Sequence, residues 1–320
     1  MKCTILALTG CPVSSVTGPL EILSLANSFV APQGAMDLSI LGESDQQISC
    51  ANKLTLTAHN TINNVNQTDI IIIGAIGKPS EKSFHIRPET LNWIRHQHQQ
   101  GAQIVSICTG AFVLAATGLL DNKQATTHWA CERVFKALFP KVLLQVNALL
   151  TQDGSVFCSG GASAYQDMTL FLIRQHFGDL IAHQCAKAML IDLDRRQQNN
   201  YAQFQPSRQH NDSLIHTLQD WLDQNATSQF QVAILANQIH LSERQLKRRF
   251  KQATGESPLN YIQALRIEIA KYKLENSNDH IAAIGRKSGY EDTRFFRQLF
   301  KRYTGLSPSE YRSKSSFIPL

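Results

Sequence analysis

The chain has 320 residues, 43% of them hydrophobic, and carries 31 Lys and Arg against 25 Asp and Glu. No apolar run approaches the ~20 residues that span a membrane, which excludes a helical membrane protein, and the length predicts two or three domains rather than one core. Residues 1–205 hold 14 basic and 14 acidic side chains, and residues 206–320 hold 17 and 11. The whole net charge of +6 therefore lies in the last third, the pattern of a neutral domain joined to one that meets a polyanion. The seven cysteines (Cys3, Cys11, Cys50, Cys108, Cys131, Cys158 and Cys185) are odd in number, irregularly spaced and contain no CxxC. That argues against a disulfide framework and a zinc site and predicts reduced thiols, no metal and a cytoplasmic chain. The N-terminus lacks the small-residue cleavage site of a secretory signal and reads as a first strand.

In chain order, Lys2–Leu8 is strand-like, and Pro19–Phe29 is a helix entered with Pro at its first turn. Leu38–Leu41 and the apolar run Asp69–Ile73 are strands. Pro88–Gln99 is a helix with Leu91 and Ile94 on one face. Gln103–Ile107 is a strand turning at Cys108-Thr109-Gly110 into a helix over Ala111–Thr117. Ser155–Cys158 is a strand, and Ala164–Phe177 a helix after Gly160-Gly161. Alternating strands and helices predict an α/β domain with a mostly parallel sheet covered on both faces. The polar, Gln- and Asn-rich stretch 192–210 reads as a linker, so the expected division is 1–191, linker 192–210, and an all-α domain over 211–320.

The last domain contains a repeat. Phe250–Tyr261 reads FKQATGESPLNY and Phe300–Tyr311 reads FKRYTGLSPSEY, with seven of twelve positions identical. A unit used twice, each time as a short apolar helix, a turn and a basic helix, predicts two helix-turn-helix units in tandem. In the first, Val232–Ile239 packs, Ser242 caps, and Glu243–Ala253 buries Leu246 and Phe250 while presenting Arg244, Gln245, Lys247, Arg248 and Lys251. In the second, Ile281, Ile284 and Gly285 pack, and Asp292 caps. Thr293–Tyr303 then buries Phe296 and Phe300 and presents Arg294, Arg297, Gln298, Lys301 and Arg302. Arg and Gln can pair with base edges while Lys holds phosphates, so the expected DNA-binding residues are Ser242, Arg244, Gln245, Lys247, Arg248 and Lys251 in the first unit and Thr293, Arg294, Arg297, Gln298 and Lys301 in the second. The helix Leu259–Leu274 joins the units over roughly 24 Å.

These residues resemble the AraC/XylS family of transcription regulators. The match runs through Ala236, Ser242, Arg244, Leu246, Arg248 and Phe250, then Ser257-Pro258, Tyr261 and Arg266. It continues through Gly289-Tyr290, Phe296, Phe300, Gly305 and Ser307 to Arg312, with departures at Gly285, Arg294 and Gln298. In the first domain, a Cys at a strand–turn–helix apex predicts a side chain held exposed near helix N–H groups that favour a thiolate or an anion. Gly18-Pro19-Leu20-Glu21, Ile70–Gly74, Cys108-Thr109-Gly110, Ala115–Leu120 and Thr126-Thr127-His128-Trp129 resemble the PfpI-like, class I glutamine-amidotransferase-like superfamily. Over roughly 1–313 the chain is similar to GlxA-type AraC regulators.

The resemblance implies a flavodoxin-like sheet with a nucleophile elbow. It places Glu21 near Cys108, where its carboxyl hydrogen-bonds the thiol, and makes His128 a ligand-orienting group or base. Glu21, Gly74, Cys108, Thr109, Gly110 and His128 become candidate ligand-binding residues, with Gly160-Gly161 read either as a plain turn or as a backbone approach to ligand. Hydrolytic relatives carry His directly after the elbow Cys; here that residue is Thr109, so the implied role is a former active site reused as a sensor, without cofactor or catalysis. The implied effector is an amino acid, betaine or related amine. The implied partners are promoter DNA, RNA polymerase and a second copy bound through the first domain. Two alternatives stay open: a Cys-dependent hydrolase or hydratase fused to a DNA-binding domain, and a redox sensor built on Cys108.

Overall fold

A computed structural model describes residues 1–81, 84–193, 195, 197–208, 210–229 and 231–315. Asp194, Arg196 and Gln209 of the expected linker, and residues 316–320, lie outside the described residues. The chain divides into two compact units, Met1–Gln198 and Asn199–Leu320.

In the first unit, β1 (Lys2–Leu6) leads through α1 (Ser14–Ser28) to β2 (Asp37–Gly42). The short hairpin β3 (Gln47–Ser49) and β4 (Thr55–Thr57) and the two-residue β5 (Asn60–Thr61) follow. β6 (Ile70–Ile73), α2 (Pro88–Gln99), β7 (Gln103–Ile107) and α3 (Gly110–Ala116) come next. The two-residue pair β8 (Gln124–Ala125) and β9 (Leu143–Leu144) flanks α4 (Glu132–Leu138). β10 (Leu150–Asp153), β11 (Val156–Ser159), α5 (Tyr165–Phe177) and α6 (Asp179–Ala188) complete the unit.

Seven strands form one sheet in the order β10-β11-β7-β6-β1-β2-β5, parallel except for the β10–β11 pair. β6, four isoleucines, is buried throughout because helices cover both faces. Successive side chains alternate between faces: Ile70 and Ile72 enter one core with Val16, Ile22 and Leu172, while Ile71 and Ile73 enter the other with Phe112 and Phe135.

One expected boundary is corrected. α1 begins at Ser14, five residues before Pro19, which lies inside the helix. Proline there removes one helical hydrogen bond. Tertiary packing outweighs that loss: Val16, Gly18, Pro19, Ile22, Leu23 and Ala26 are buried, and Gly18 lies so close to the Tyr165 ring of α5 that no Cβ would fit.

The second unit is helical: α7 (Ser213–Asn225), α8 (Val232–Gln238), α9 (Glu243–Thr254), α10 (Pro258–Asn276), α11 (Ile281–Lys287), α12 (Thr293–Thr304) and α13 (Pro308–Ser315). It has two cores. Ile215, Leu222, Leu235, Leu246 and Phe250 meet Tyr261 and Ile262 of α10, whereas Ile284, Phe296, Phe300 and Tyr311 meet its Ile267 and Leu274. α10, with 19 residues, is therefore the shared wall of both helix-turn-helix units and is about 28 Å long.

The segment between the expected domains is anchored at several points. Gln197 forms a β-bridge with Ala148, Gln198 is 2% exposed, Phe204 packs on Tyr261, and Arg208 pairs with Asp220 and Asp223.

Candidate functional sites: a basic helix pair and a buried elbow

The repeat has a structural explanation at six of its seven identical positions. Phe250 meets Tyr261 edge to face at 5.1 Å, and Phe300 meets Tyr311 the same way at 5.4 Å. Thr254 and Thr304 donate to the carbonyls of Phe250 and Phe300. Gly255 and Gly305 end α9 and α12 in the left-handed region, at φ 85° and 76°. Ser257 and Ser307 bond the third amide of the next helix, which Pro258 and Pro308 open. Only Lys251 and Lys301 point outward, both exposed.

The N-termini of the two basic helices are fixed by different caps. Ser242 and Gln245 form a reciprocal capping box, while Asp292 accepts from the amides of Arg294 and Phe295 at 2.7 and 3.1 Å. The box engages Gln245 Oε1, which accepts from Ser242 N and Oγ and leaves its Nε2 available as a donor. Lys247 pairs with Glu243 at 3.3 Å. Arg244, Arg248 and Lys251 on α9, and Arg294, Arg297, Gln298 and Lys301 on α12, are exposed with no hydrogen bond from their side chains among the described residues. Thr293 is half-buried at the start of α12.

Two arginines instead serve the scaffold. Arg249 clasps Asp212 through Nε and Nη2 at 2.9 and 2.7 Å, and Arg266 donates to the carbonyls of Ala226, Ser228 and Gly289. Sequence reasoning missed Phe295, which is 47% exposed among the basic residues of α12. The signal was available, because only one residue of Phe295-Phe296 can face the core.

At the end of β7, Cys108 occupies the turn with φ 55°, the strained geometry of an elbow. It is not held exposed as the motif predicts: it is 6% exposed. Burial pushes its thiol up to about 12, outweighing the Thr109 amide and hydroxyl that act to lower it. The expected contact with Glu21 is absent among the described residues. Glu21 is exposed on α1, and the groups acting on the Cys108 thiol are Thr109 and Cys131. The α1 residue that reaches this end of the sheet is Ser15, whose Oγ accepts from Ala75 N at 3.0 Å and donates to Pro12 O.

Thr109, where a hydrolase would carry histidine, has its hydroxyl occupied twice. It donates to Ile76 O and accepts from Ile76 N. Gly74 and Gly110 are packing residues: a Cβ on Gly110 would lie 2.7 Å from the carbonyl oxygens of Ile73 and Gly74. His128 is half-buried, and its Nδ1 accepts from Ala130 N at 3.1 Å, which puts the ring proton on Nε2. Burial lowers its pKa, and Trp129 lies 5.2 Å from its ring. Beside it, Thr127 Oγ1 donates to Cys108 O at 3.0 Å.

Gly160 does not face an open ligand space. A Cβ there would meet the amide of Gln198, whose Nε2 donates to Thr127 O at 2.8 Å and Val146 O at 2.7 Å. A continuous line of bonds thus joins Gln198, Thr127 and Cys108. No group of three or more His, Cys, Asp or Glu could hold a metal, and no helix is long and apolar enough to cross a membrane, among the described residues.

Fold and sites together define a two-part chain: a Cys-elbow α/β unit and a tandem helix-turn-helix unit. Residues 6–175 match the DJ-1/PfpI family and residues 235–314 a helix-turn-helix domain. The chain belongs to the DJ-1/PfpI family and carries an AraC-type helix-turn-helix domain. It is 24% identical to the HTH-type transcriptional regulator CdhR of Pseudomonas aeruginosa over 314 residues, 96% of this chain and 90% of that one. The HTH-type transcriptional regulator GlxA of Rhizobium meliloti is 28% identical, covering 77% of this chain and 75% of its own. A shorter match, 40% over 91 residues, links 28% of the chain to 38% of the isonitrile hydratase of Pseudomonas putida. The crystal structure of a protein from Vibrio parahaemolyticus superposes with a TM-score of 0.55 at 28% identity. It covers 60% of this chain and 99% of that one.

Proposed function

We propose that the chain is a cytoplasmic DNA-binding transcription regulator whose DJ-1/PfpI unit is a sensor of a small nitrogenous metabolite (an amino acid, betaine or related amine) and not an enzyme. The observation that carries the reading is the pair of capped basic helices, α9 and α12, each with an apolar face buried and a cationic face exposed. Relatives that span nearly the whole chain are HTH-type transcriptional regulators. The elbow favours a sensor over a catalyst: burial raises the thiol to about 12, which keeps it protonated at neutral pH, and no imidazole or carboxylate acts on it among the described residues. On this reading the first unit also pairs two copies, and the bound complex recruits RNA polymerase.

DNA binding by the full chain, measured by fluorescence anisotropy, is expected to weaken steeply as salt rises. Arg244→Ala should relax sequence preference at one or two operator positions, a discrimination of roughly 1–3 kcal/mol, while Lys251→Ala should lower the salt slope and leave preference unchanged. Binding absent at low salt, or site selections identical for the wild type and Arg244→Ala, would contradict the reading of α9 as a reader.

A further inference from the structure

The first unit contains a cleft of about 270 Å³ that the elbow residues do not line. Its walls come from Leu8 and Thr9 beyond β1, Glu43 beyond β2, Lys78 beyond β6, and Phe84 and Arg87 before α2. β1 and β6 are neighbours, yet the chain leaves β1 for β2 on one side and β6 for β7 on the other. That is the switch point of an open parallel sheet, the place where such folds leave a crevice beyond the strand ends.

The cleft carries charges of both signs. Among the described residues Lys78 is exposed with no hydrogen bond or ion pair, and the single ion pair of Arg87, to Glu89 at 3.9 Å, joins exposed groups and is worth little. Opposite in sign, Glu43 is half-buried, with one carboxylate oxygen accepting from the hydroxyl of fully buried Thr90. Leu8, Ile76 and Phe84 add apolar surface. The cleft has room for a molecule the size of an amino acid.

We propose that this cleft binds a small zwitterionic carboxylate, with Lys78 and Arg87 holding its carboxylate and Glu43 its cationic end. Its use as the effector site rests on the regulator reading; the binding itself does not. Ile76, in the cleft wall, bonds through both its N–H and its C=O to the Thr109 hydroxyl, so occupation of the cleft bears on the loop tied to the elbow.

The test uses the full chain, with glycine betaine and L-proline as zwitterions, glutarate as a dianion and putrescine as a dication, followed by thermal shift and calorimetry. A zwitterion should raise the melting temperature in a concentration-dependent way. Lys78→Ala and Arg87→Ala should each weaken its Kd at least tenfold, Lys78→Arg should restore most of it, and Cys108→Ala should leave it within twofold. The proposal is overturned if neither zwitterion binds, if glutarate or putrescine binds more tightly than both, or if Cys108→Ala removes binding and Lys78→Ala does not. DNA binding measured on the same preparations separates the two claims. Retained DNA binding with no zwitterion binding sinks only the cleft, whereas loss of all DNA binding sinks the regulator.

Discussion

Gly160→Ala probes the bonded line that runs from Gln198 to the elbow. An added Cβ would sit 2.5 Å from Gln198 Nε2 and 2.6 Å from its Cδ and Oε1, inside any real contact distance. Something must shift, and the amide at the end of a side chain is the part that can. It is not free to do so without loss. Gln198 is 2% exposed, and its two short bonds go to carbonyls of Thr127 and Val146. At ~1 kcal/mol net per hydrogen bond the displacement costs about 2 kcal/mol, rising to about 3 if a buried carbonyl is left unpaired. Gln198→Ala removes the same bonds, so the double variant should be no less stable than the worse single one, with a coupling of about 2 kcal/mol.

The two units need not unfold together, so the assay must see the first alone. Of the three tryptophans, Trp93 and Trp129 lie in the first unit and Trp221 in the second. Urea unfolding followed by fluorescence in a Trp221→Phe background reports on the first unit. A Gly160→Ala midpoint within ~0.5 kcal/mol of the parent would refute the reasoning, as would strictly additive costs, since distant independent sites add to within about that amount.

Two further outcomes follow from the titrating groups of the first unit. Cys108, raised to about 12 by burial, should resist iodoacetamide up to pH 9 in the folded chain; mass mapping that finds it labelled as fast as an unfolded control would favour the redox or nucleophilic alternatives. Asp167 is raised to about 6, chiefly by burial and against the pull of Arg195. The folded chain therefore holds a proton that the unfolded chain releases, and the resulting stability is full below the ordinary value of 3.8 and lost as pH rises through about 6. Between pH 4 and 7 the stability of Asp167→Asn should decline less than that of the wild type, and urea midpoints that fall in parallel would contradict the assignment.

Legibility in the sequence tracked how local the physics was. The Ile70–Ile73 run, the Pro-opened helix Pro88–Gln99 and the strand Gln103–Ile107 were readable because burial on both faces, a fixed φ and strict patterning act within the segment. Strands of two or three residues, such as Asn60–Thr61 and Gln124–Ala125, carry no period to read. Pro19 was misleading because its usual place is a first turn, and only the close approach of Gly18 to Tyr165 explains why the helix starts earlier. At the elbow, the backbone turn was legible in Cys108-Thr109-Gly110. The protonation state was not, because it depends on burial by residues distant in the chain. Gln198 was hidden for the same reason: it sits in a polar stretch that looks like linker, and its burial depends on a glycine 38 residues earlier.

The repeat that singled out the second unit records architecture more than recognition. Its shared Phe, Thr, Gly, Ser, Pro and Tyr close the exit from each basic helix, and only Lys251 and Lys301 are shared and exposed. The other exposed residues of the two basic helices differ between the units. α9 presents Arg244, the Nε2 of Gln245, and Arg248, whereas α12 presents Arg294, Phe295, Arg297 and Gln298. Arg favours guanine, Gln favours adenine, and an exposed Phe can meet a thymine methyl. On the regulator reading, one chain then carries two non-equivalent readers packed on α10, each with an equivalent phosphate-holding lysine. The sequence each half prefers should therefore differ even though the two halves dock alike.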